Sequence, residues 1–323
     1  MGRLFGTDGI RGIANRDLSI QRSAQVGQAL ATVLRERLGE GKKPKVFIGK
    51  DTRLSSDMIE AALTAGLCAG GADCVSLGVV PTPAVACLTV AHQMDAGVMI
   101  SASHNPFHFN GIKIFGPKGY KLTDREEAEI EDMILDDAIP MHKAEAGEIG
   151  RYSRRKELAK EYVRHIAATV PGEKPFAGMR VLVDCANGSA SRTAGELFEQ
   201  LGANADIICR EPDGVNVNQD CGSTHIHRLR EMVKAGGYAL GVAFDGDADR
   251  CLAVDETGAL VDGDQMIAIF ATEMKRKGSL RQNTAVVTVM SNYGFMNFAR
   301  ESGITVKTTK VGDRYVLETM LAE

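Results

Sequence analysis

Short apolar runs recur along the chain, each ending in a polar loop and each followed by a segment whose apolar positions fall every three or four residues. The first run is Lys45-Val46-Phe47-Ile48-Gly49, leading into Asp51-Thr52-Arg53. A helix comes next that Ser55 or Ser56 can cap, with Ile59, Leu63 and Leu67 on one face. Gly70-Gly71 stops it, and Cys74-Val75-Ser76-Leu77 reads as the next strand. The same order returns in Arg180-Val181-Leu182-Val183-Asp184, the loop Asn187-Gly188-Ser189, a helix with Ala194, Leu197, Phe198 and Leu201 in register, Gly202, and Ala205-Asp206-Ile207-Ile208. It returns again in Ala285-Val286-Val287-Thr288-Val289, Ser291-Asn292, a helix with Phe295, Phe298 and Ala299, Gly303, and Ile304-Thr305-Val306. Three βαβ units in series predict an α/β protein of serial repeated domains, with mixed, largely parallel sheets between helices.

The first two copies continue into a further apolar strand that ends in a loop rich in chemistry. These are Ala96–Ile100 into Ser101-Ala102-Ser103-His104-Asn105-Pro106, and Ala239–Phe244 into Asp245-Gly246-Asp247-Ala248-Asp249-Arg250. Ligands of such sheets gather at the carboxyl ends of strands. By the same spacing the third copy should own an equivalent loop beyond Glu323, so the repeat predicts a functional element C-terminal to this sequence. A charged stretch from Thr123 to Glu157, with a helix near Glu126 to Leu135 and the linker-like run Asp136–Pro140, places the end of a first domain near residue 150. The turn Asp255-Glu256-Thr257-Gly258 marks the second boundary, giving domains 1–150, 151–255 and a partial third over 256–323.

Composition narrows the classes. With 44% hydrophobic and 25% charged residues over 323 positions, the chain is globular and not disordered. A formal net charge of −4 without a long basic run argues against nucleic acid or a membrane surface as partner. The N-terminus shows no secretory h-region and no apolar run is long enough to span a bilayer, so a cytoplasmic location is expected. The seven cysteines are scattered and contain no Cys-x-x-Cys pair, which suggests neither a disulfide framework nor a zinc site.

Asp245, Asp247 and Asp249 alternate with Gly246 and Ala248 directly after an apolar strand. At ~4 Å and an effective dielectric near 20, each pair of carboxylates repels by roughly 4 kcal/mol, so the cluster calls for a cation. Small spacers let the oxygens converge on one hard ion such as Mg²⁺. An EF-hand fits Asp245, Asp247, Asp249 and Glu256 in spacing, but it needs a glycine where Arg250 stands and helices where strands are read. Ser103 comes after a buried-type strand, yet no Gly-x-Ser-x-Gly elbow is present, so a serine hydrolase is a poor reading. A phosphorylated Ser103 fits better, because its oxygens could complete the coordination of an ion held by the acidic loop.

Together these two loops resemble the phosphoserine and metal loops of the α-D-phosphohexomutase superfamily. The likeness extends to Phe5–Gly12, Gly49–Arg53, Gly214–Asn218 and Cys221–His225, and so along the chain. Phe109 before Asn110-Gly111, and Ile226-His227 after Ser223-Thr224-His225, depart from the commonest pattern. Ser101 at the head of the serine loop and the Cys-Gly-Ser-Thr-His run are more similar to the branch acting on glucosamine phosphates than to those acting on mannose or glucose phosphates. The resemblance implies a mutase that interconverts glucosamine 6-phosphate and glucosamine 1-phosphate through a phosphoserine and a 1,6-bisphosphate, on the route to UDP-N-acetylglucosamine and the cell wall. It implies Ser103 as nucleophile, with Lys113 first and His104 second for proton handling. Arg11 and Arg250 would bind phosphoryl oxygens, and Mg²⁺ would sit on phosphorylated Ser103, Asp245, Asp247 and Asp249. The implied partner is a phosphorylated hexosamine, with a homodimer possible. Because a sugar-recognition loop and a phosphate-binding fourth domain of the family are absent from this sequence, low turnover is expected of the chain alone. A non-catalytic metal-binding fragment is the competing reading.

Overall fold

The computed structural model describes residues 2–6, 8–39, 41–136 and 139–322, so Thr7 of the N-terminal loop and Asp137 and Ala138 of the linker-like run lie outside the described residues. The chain forms two compact units, Met1–Gly258 and Ala259–Glu323.

The first unit holds two sheets. The larger has seven strands in the order Phe5–Gly6, Gly9–Ile13, Phe109–Phe115, Ala96–Ile100, Lys45–Lys50, Asp73–Val79 and Tyr152–Arg154. Its first three pairings are antiparallel and its last three parallel. The stretch Asn110–Lys113, a few residues downstream of the serine loop and given no element by the apolar pattern, is the middle of a strand, and it carries Lys113 into the interior. In the second sheet the strands of this unit run Cys251–Asp255, Leu240–Phe244, Arg180–Asp184 and Asn204–Ile208, with the first pairing antiparallel and the others parallel.

Helix Ile20–Leu38, capped by the Ser19 hydroxyl, packs on helix Leu54–Ala69. A Cβ at Gly66 would lie 1.9 Å from the Ala24 carbonyl oxygen and one at Gly27 2.3 Å from that of Leu63, so the two backbones meet where neither helix has a side chain. Val26, Leu30 and Val33 on one helix and Ile59, Leu63 and Leu67 on the other are buried in one cluster against the sheet. The second helix starts differently from expectation. Its cap position is Arg53, with no side-chain cap, and the Ser56 hydroxyl instead donates to Asp51 at 2.9 Å. The serine is drawn toward a buried carboxylate and away from the helix end. Helix Asp124–Leu135 opens with a capping box between Thr123 and Glu126. Its Glu131 carboxylate accepts the backbone N–H of Arg3, Leu4 and Phe5 at 2.9, 2.6 and 2.7 Å, which ties the N-terminal segment to the body.

The second unit contains the parallel strand pair Thr284–Thr288 and Thr305–Thr309 with helices Gly263–Arg276, Tyr293–Glu301 and Asp313–Ala322. Ala271, Ala285, Val287, Phe295, Ala299 and Ile304 form its core. Among the described residues no helix is long and apolar enough to cross a membrane.

Candidate active site

Two loops of the first unit meet backbone to backbone. Ser103 stands just past strand Ala96–Ile100 at φ 54°, a left-handed conformation uncommon for a residue with a side chain, and it is fully buried. Such a conformation persists only where the surroundings fix it, and here they do. The Ser103 carbonyl accepts from Arg53 Nη2 at 2.8 Å and from Asn218 Nδ2 at 2.9 Å, while its N–H donates to the Ser101 hydroxyl at 2.9 Å. Arg53 is itself fully buried against Asp51 at 2.8 Å and donates to the carbonyls of Pro106 and Phe109 at 2.6 and 3.2 Å. Asp51 in turn accepts the Ser101 and Ser56 hydroxyls at 2.7 and 2.9 Å. This charged rack at the end of strand Lys45–Lys50 sets the shape of the serine loop.

The acidic loop comes up against it through glycine. A Cβ at Gly246 would lie 2.6 Å from the Ser103 carbonyl oxygen, and one at Gly188 would lie 2.3 Å from the Gly246 oxygen. At this approach the Ser103 hydroxyl donates to Asp245 Oδ2 at 2.6 Å. Carboxylate oxygens of Asp245, Asp247 and Asp249 lie within 4.8 Å of one another. Lys113 Nζ, almost wholly buried, bonds Asp247 at 2.8 Å and Asp249 at 2.9 Å and pairs with Asp8 at 3.1 Å. Thr82, at the start of helix Thr82–Ala91, donates its hydroxyl to Asp247 at 2.6 Å and its N–H to the Asp247 carbonyl at 2.8 Å.

The electrostatics show what the trio lacks. Burial, and then the charges of Asp247 and Asp249, push the Asp245 carboxyl up to about 7. Against the cost of burial, Asp247, Asp249 and Asp8 hold the Lys113 ammonium well above the usual lysine range. Asp8 is shared with Arg11 and Lys121, so Lys113 is the one side-chain cation bonded to the trio among the described residues, which leaves the trio short of positive charge, and Asp247 Oδ1 is buried without a hydrogen-bond partner among them. Hard oxygen donors, an excess of negative charge and an unpartnered buried oxygen fit a divalent cation.

Of the other predicted residues, His104 is half-buried, with its Nδ1 buried and unpartnered among the described residues. Burial and the charges of Arg250 and Arg11 hold its ring below the usual histidine range. Arg11 pairs with Asp8 and keeps its Nε buried without a partner among the described residues. The Arg250 N–H donates to Asp245 Oδ1 at 3.3 Å, and its side chain is exposed. Sequence reasoning gave no role to Arg53, Asp51, Asn218 or Thr82. Asp51, Arg53 and Asn218 stand within segments already noted for their pattern and Thr82 does not, but what all four do depends on partners 50 to 165 positions away.

Comparison with known proteins places the chain in a family. Models of the phosphoglucomutase/phosphomannomutase α/β/α domains I, II and III match residues 2–139, 160–258 and 262–323. The phosphoglucosamine mutase of Acetivibrio thermocellus is 51% identical over 321 residues, which is 99% of this chain and 71% of the relative. That of Caldicellulosiruptor bescii is 51% identical over 324 residues with the same coverage. The chain belongs to the phosphoglucosamine mutase family. A solved phosphoglucomutase/phosphomannomutase family protein from Burkholderia thailandensis superposes with a TM-score of 0.83 at 26% identity, covering 99% of this chain and 68% of its own. Membership in the mutase family makes this chain one of the phosphohexose mutases, enzymes of intramolecular phosphoryl transfer, and confirms the serial α/β domains. An acidic cluster able to hold a metal ion lies at the end of the strand that the repeat pattern marked.

Proposed function

We infer that this chain interconverts glucosamine 6-phosphate and glucosamine 1-phosphate, with Ser103 carrying the phosphoryl group and Asp245, Asp247 and Asp249 holding Mg²⁺ beside it. The hydroxyl of Ser103 lying 2.6 Å from Asp245 Oδ2 is the observation that carries this reading. Segments 1–150, 151–255 and 256–323 are taken as successive domains, the first supplying the serine and the second the carboxylates.

Phosphoryl transfer asks the protein mainly for positioning and for compensation of charge. Ser103 gives its phosphoryl group to O1 of glucosamine 6-phosphate, and the 6-phosphate of the resulting 1,6-bisphosphate returns to Ser103. Arg53 and Asn218 keep the Ser103 carbonyl still while its hydroxyl oxygen changes partner. A bound Mg²⁺ supplies positive charge to the phosphoryl oxygens. Lys113, whose ammonium lies against Asp247, Asp249 and Asp8, is the first choice for handling the proton of the sugar hydroxyl. His104, next to Ser103 in the chain and with its Nδ1 unpartnered among the described residues, is the second choice. Arg11 and Arg250 present planar guanidinium groups to phosphate oxygens.

Incubation with labelled glucosamine 1,6-bisphosphate tests the assignment. The chain takes up label on Ser103 and the Ser103→Ala protein takes up none; label retained in that variant moves the nucleophile elsewhere.

A further inference from the structure

The first unit contains a second group of ligand-type side chains that the mutase reaction does not use. Asp184 ends strand Arg180–Asp184, Cys209 comes directly after strand Asn204–Ile208, and Cys221 lies at the far end of the loop from 210 to 220. A carboxylate oxygen of Asp184 and both sulfurs lie within 4.8 Å of one another. Asp184 and Cys221 are each 1% exposed and Cys209 is half-buried, so the group is closed on one side and accessible on the other. All three belong to the second sheet and its loops, and none is a member of the acidic trio.

We propose that Asp184, Cys209 and Cys221 form a second metal site, which takes a thiophilic divalent cation of the zinc class and leaves one coordination position open. Two sulfurs and a carboxylate are the donor set such an ion prefers, whereas Mg²⁺ takes oxygen alone. Zinc–sulfur bonds of about 2.3 Å in a tetrahedron set sulfurs about 3.8 Å apart, so ligands within 4.8 Å need only close inward slightly. The surroundings already orient the ligands. Asp184 accepts from the N–H of Ala186 and of Gly222, both at 2.9 Å, which fixes its carboxylate plane and leaves each oxygen a free lone pair. Asn187 Nδ2 donates toward Cys221 Sγ at 3.9 Å. Cys209 is held at φ 48°, and Asp220 and Gly222 flank Cys221 at φ 51° and 73°; in this unusual backbone both sulfurs face the same carboxylate.

The site would also reach the mutase centre. The loop from 210 to 220 is clamped at its base by Cys209 and Cys221, and it carries Asn218 to the Ser103 carbonyl at 2.9 Å and the Gly214 carbonyl to the Leu54 N–H at 2.9 Å. A cation joining the two cysteines therefore restrains the loop that steadies the serine.

Titration of the reduced chain with Co²⁺ tests the proposal, because a thiolate-to-cobalt charge-transfer band reports sulfur ligation and is silent for ions on the acidic trio. One equivalent is expected to saturate the band, and Zn²⁺ should bleach it. The band should persist in Asp245→Asn and in Cys68→Ser and vanish in Cys221→Ser. Zn²⁺ affinity should fall at least about tenfold in Cys209→Ala, a half-buried position whose far-UV circular dichroism should match the parent and which serves if Cys221→Ser does not fold. Absence of the band in the parent protein, or a band in Cys209→Ala with parental intensity and affinity, overturns the proposal.

Discussion

Replacing Lys113 by Met removes the buried cation on which the acidic centre depends, and the structure sets the size of the effect. Its ammonium lies 2.8, 2.9 and 3.1 Å from carboxylate oxygens of Asp247, Asp249 and Asp8. At an effective dielectric near 20 each contact is worth about 5 to 6 kcal/mol of gross attraction, much of it offset by the cost of burying the ions. What decides the outcome is that Asp247 remains buried after the substitution, with Thr82 as its remaining polar side-chain partner among the described residues. Leaving one charge of a buried pair uncompensated costs about 3–5 kcal/mol. Urea unfolding monitored by far-UV circular dichroism in EDTA should therefore show Lys113→Met destabilised by that amount. A divalent ion at 100 times its dissociation constant stabilises the native state by about 2.7 kcal/mol. The variant, with a more negative site, should gain more than the parent, so the gap narrows in Mg²⁺. A loss below about 1 kcal/mol in EDTA, or a gap indifferent to Mg²⁺, would show that Lys113 does not neutralise the trio.

Three further outcomes rest on particular contacts. Gly246→Ala places a methyl group 2.6 Å from the Ser103 carbonyl oxygen; phosphate uptake should fall at least about a hundredfold, as expected for a misplacement near 1 Å at a reacting group, while far-UV circular dichroism stays that of the parent. Arg53→Met frees three carbonyls and leaves Asp51 without its guanidinium; a stability loss of about 3–5 kcal/mol in urea is expected, together with slower Ser103 labelling by 1,6-bisphosphate. Hydrogen bonds from the N–H of Phe5, Leu4 and Arg3 overcome burial to hold Glu131 below the usual carboxylate range, so its contribution is complete above an unfolded value of about 4.3 and is lost as pH falls through the lower folded value. Glu131→Gln should accordingly be about 1.5–3 kcal/mol less stable at pH 7, with the difference from the parent shrinking below pH 4; a constant difference would point to packing instead.

The repeat of apolar strand, polar loop and helix was legible because strands such as Val181–Asp184 and Leu240–Phe244 are buried within a sheet and read as unbroken apolar runs. The loops that end them were legible because alternating aspartates and Ser-His-Asn-Pro are unusual at such a place. Helix Thr82–Ala91 was not, since its residues are apolar on nearly every face and leave no period of 3.6 to detect. Nor was the strand Phe109–Phe115, whose identity rests on antiparallel partners at Gly9–Ile13 and Ala96–Ile100. Lys113 could be named from its motif, but its three carboxylates could not, because Asp8, Asp247 and Asp249 come from loops far apart in the chain. The pairing of Cys209 with Cys221 was hidden for a related reason, being made by a loop closure and not by any local spacing.

The bonds that join the serine loop to the acidic loop bear on how the first unit comes into being. Thr52 donates to the Asn187 carbonyl at 2.6 Å, Leu54 to that of Gly214 at 2.9 Å, and Asn218 to that of Ser103 at 2.9 Å. Each crosses from the first 150 residues to the next hundred. Of the bonds that hold the Ser103 backbone, those to Arg53 and Ser101 come from the first stretch, whereas Asn218 and the hydroxyl's partner Asp245 come from the second. The surroundings of the hydroxyl are thus complete only once the segment after strand Leu240–Phe244 brings Asp245 and Gly246 against the serine loop.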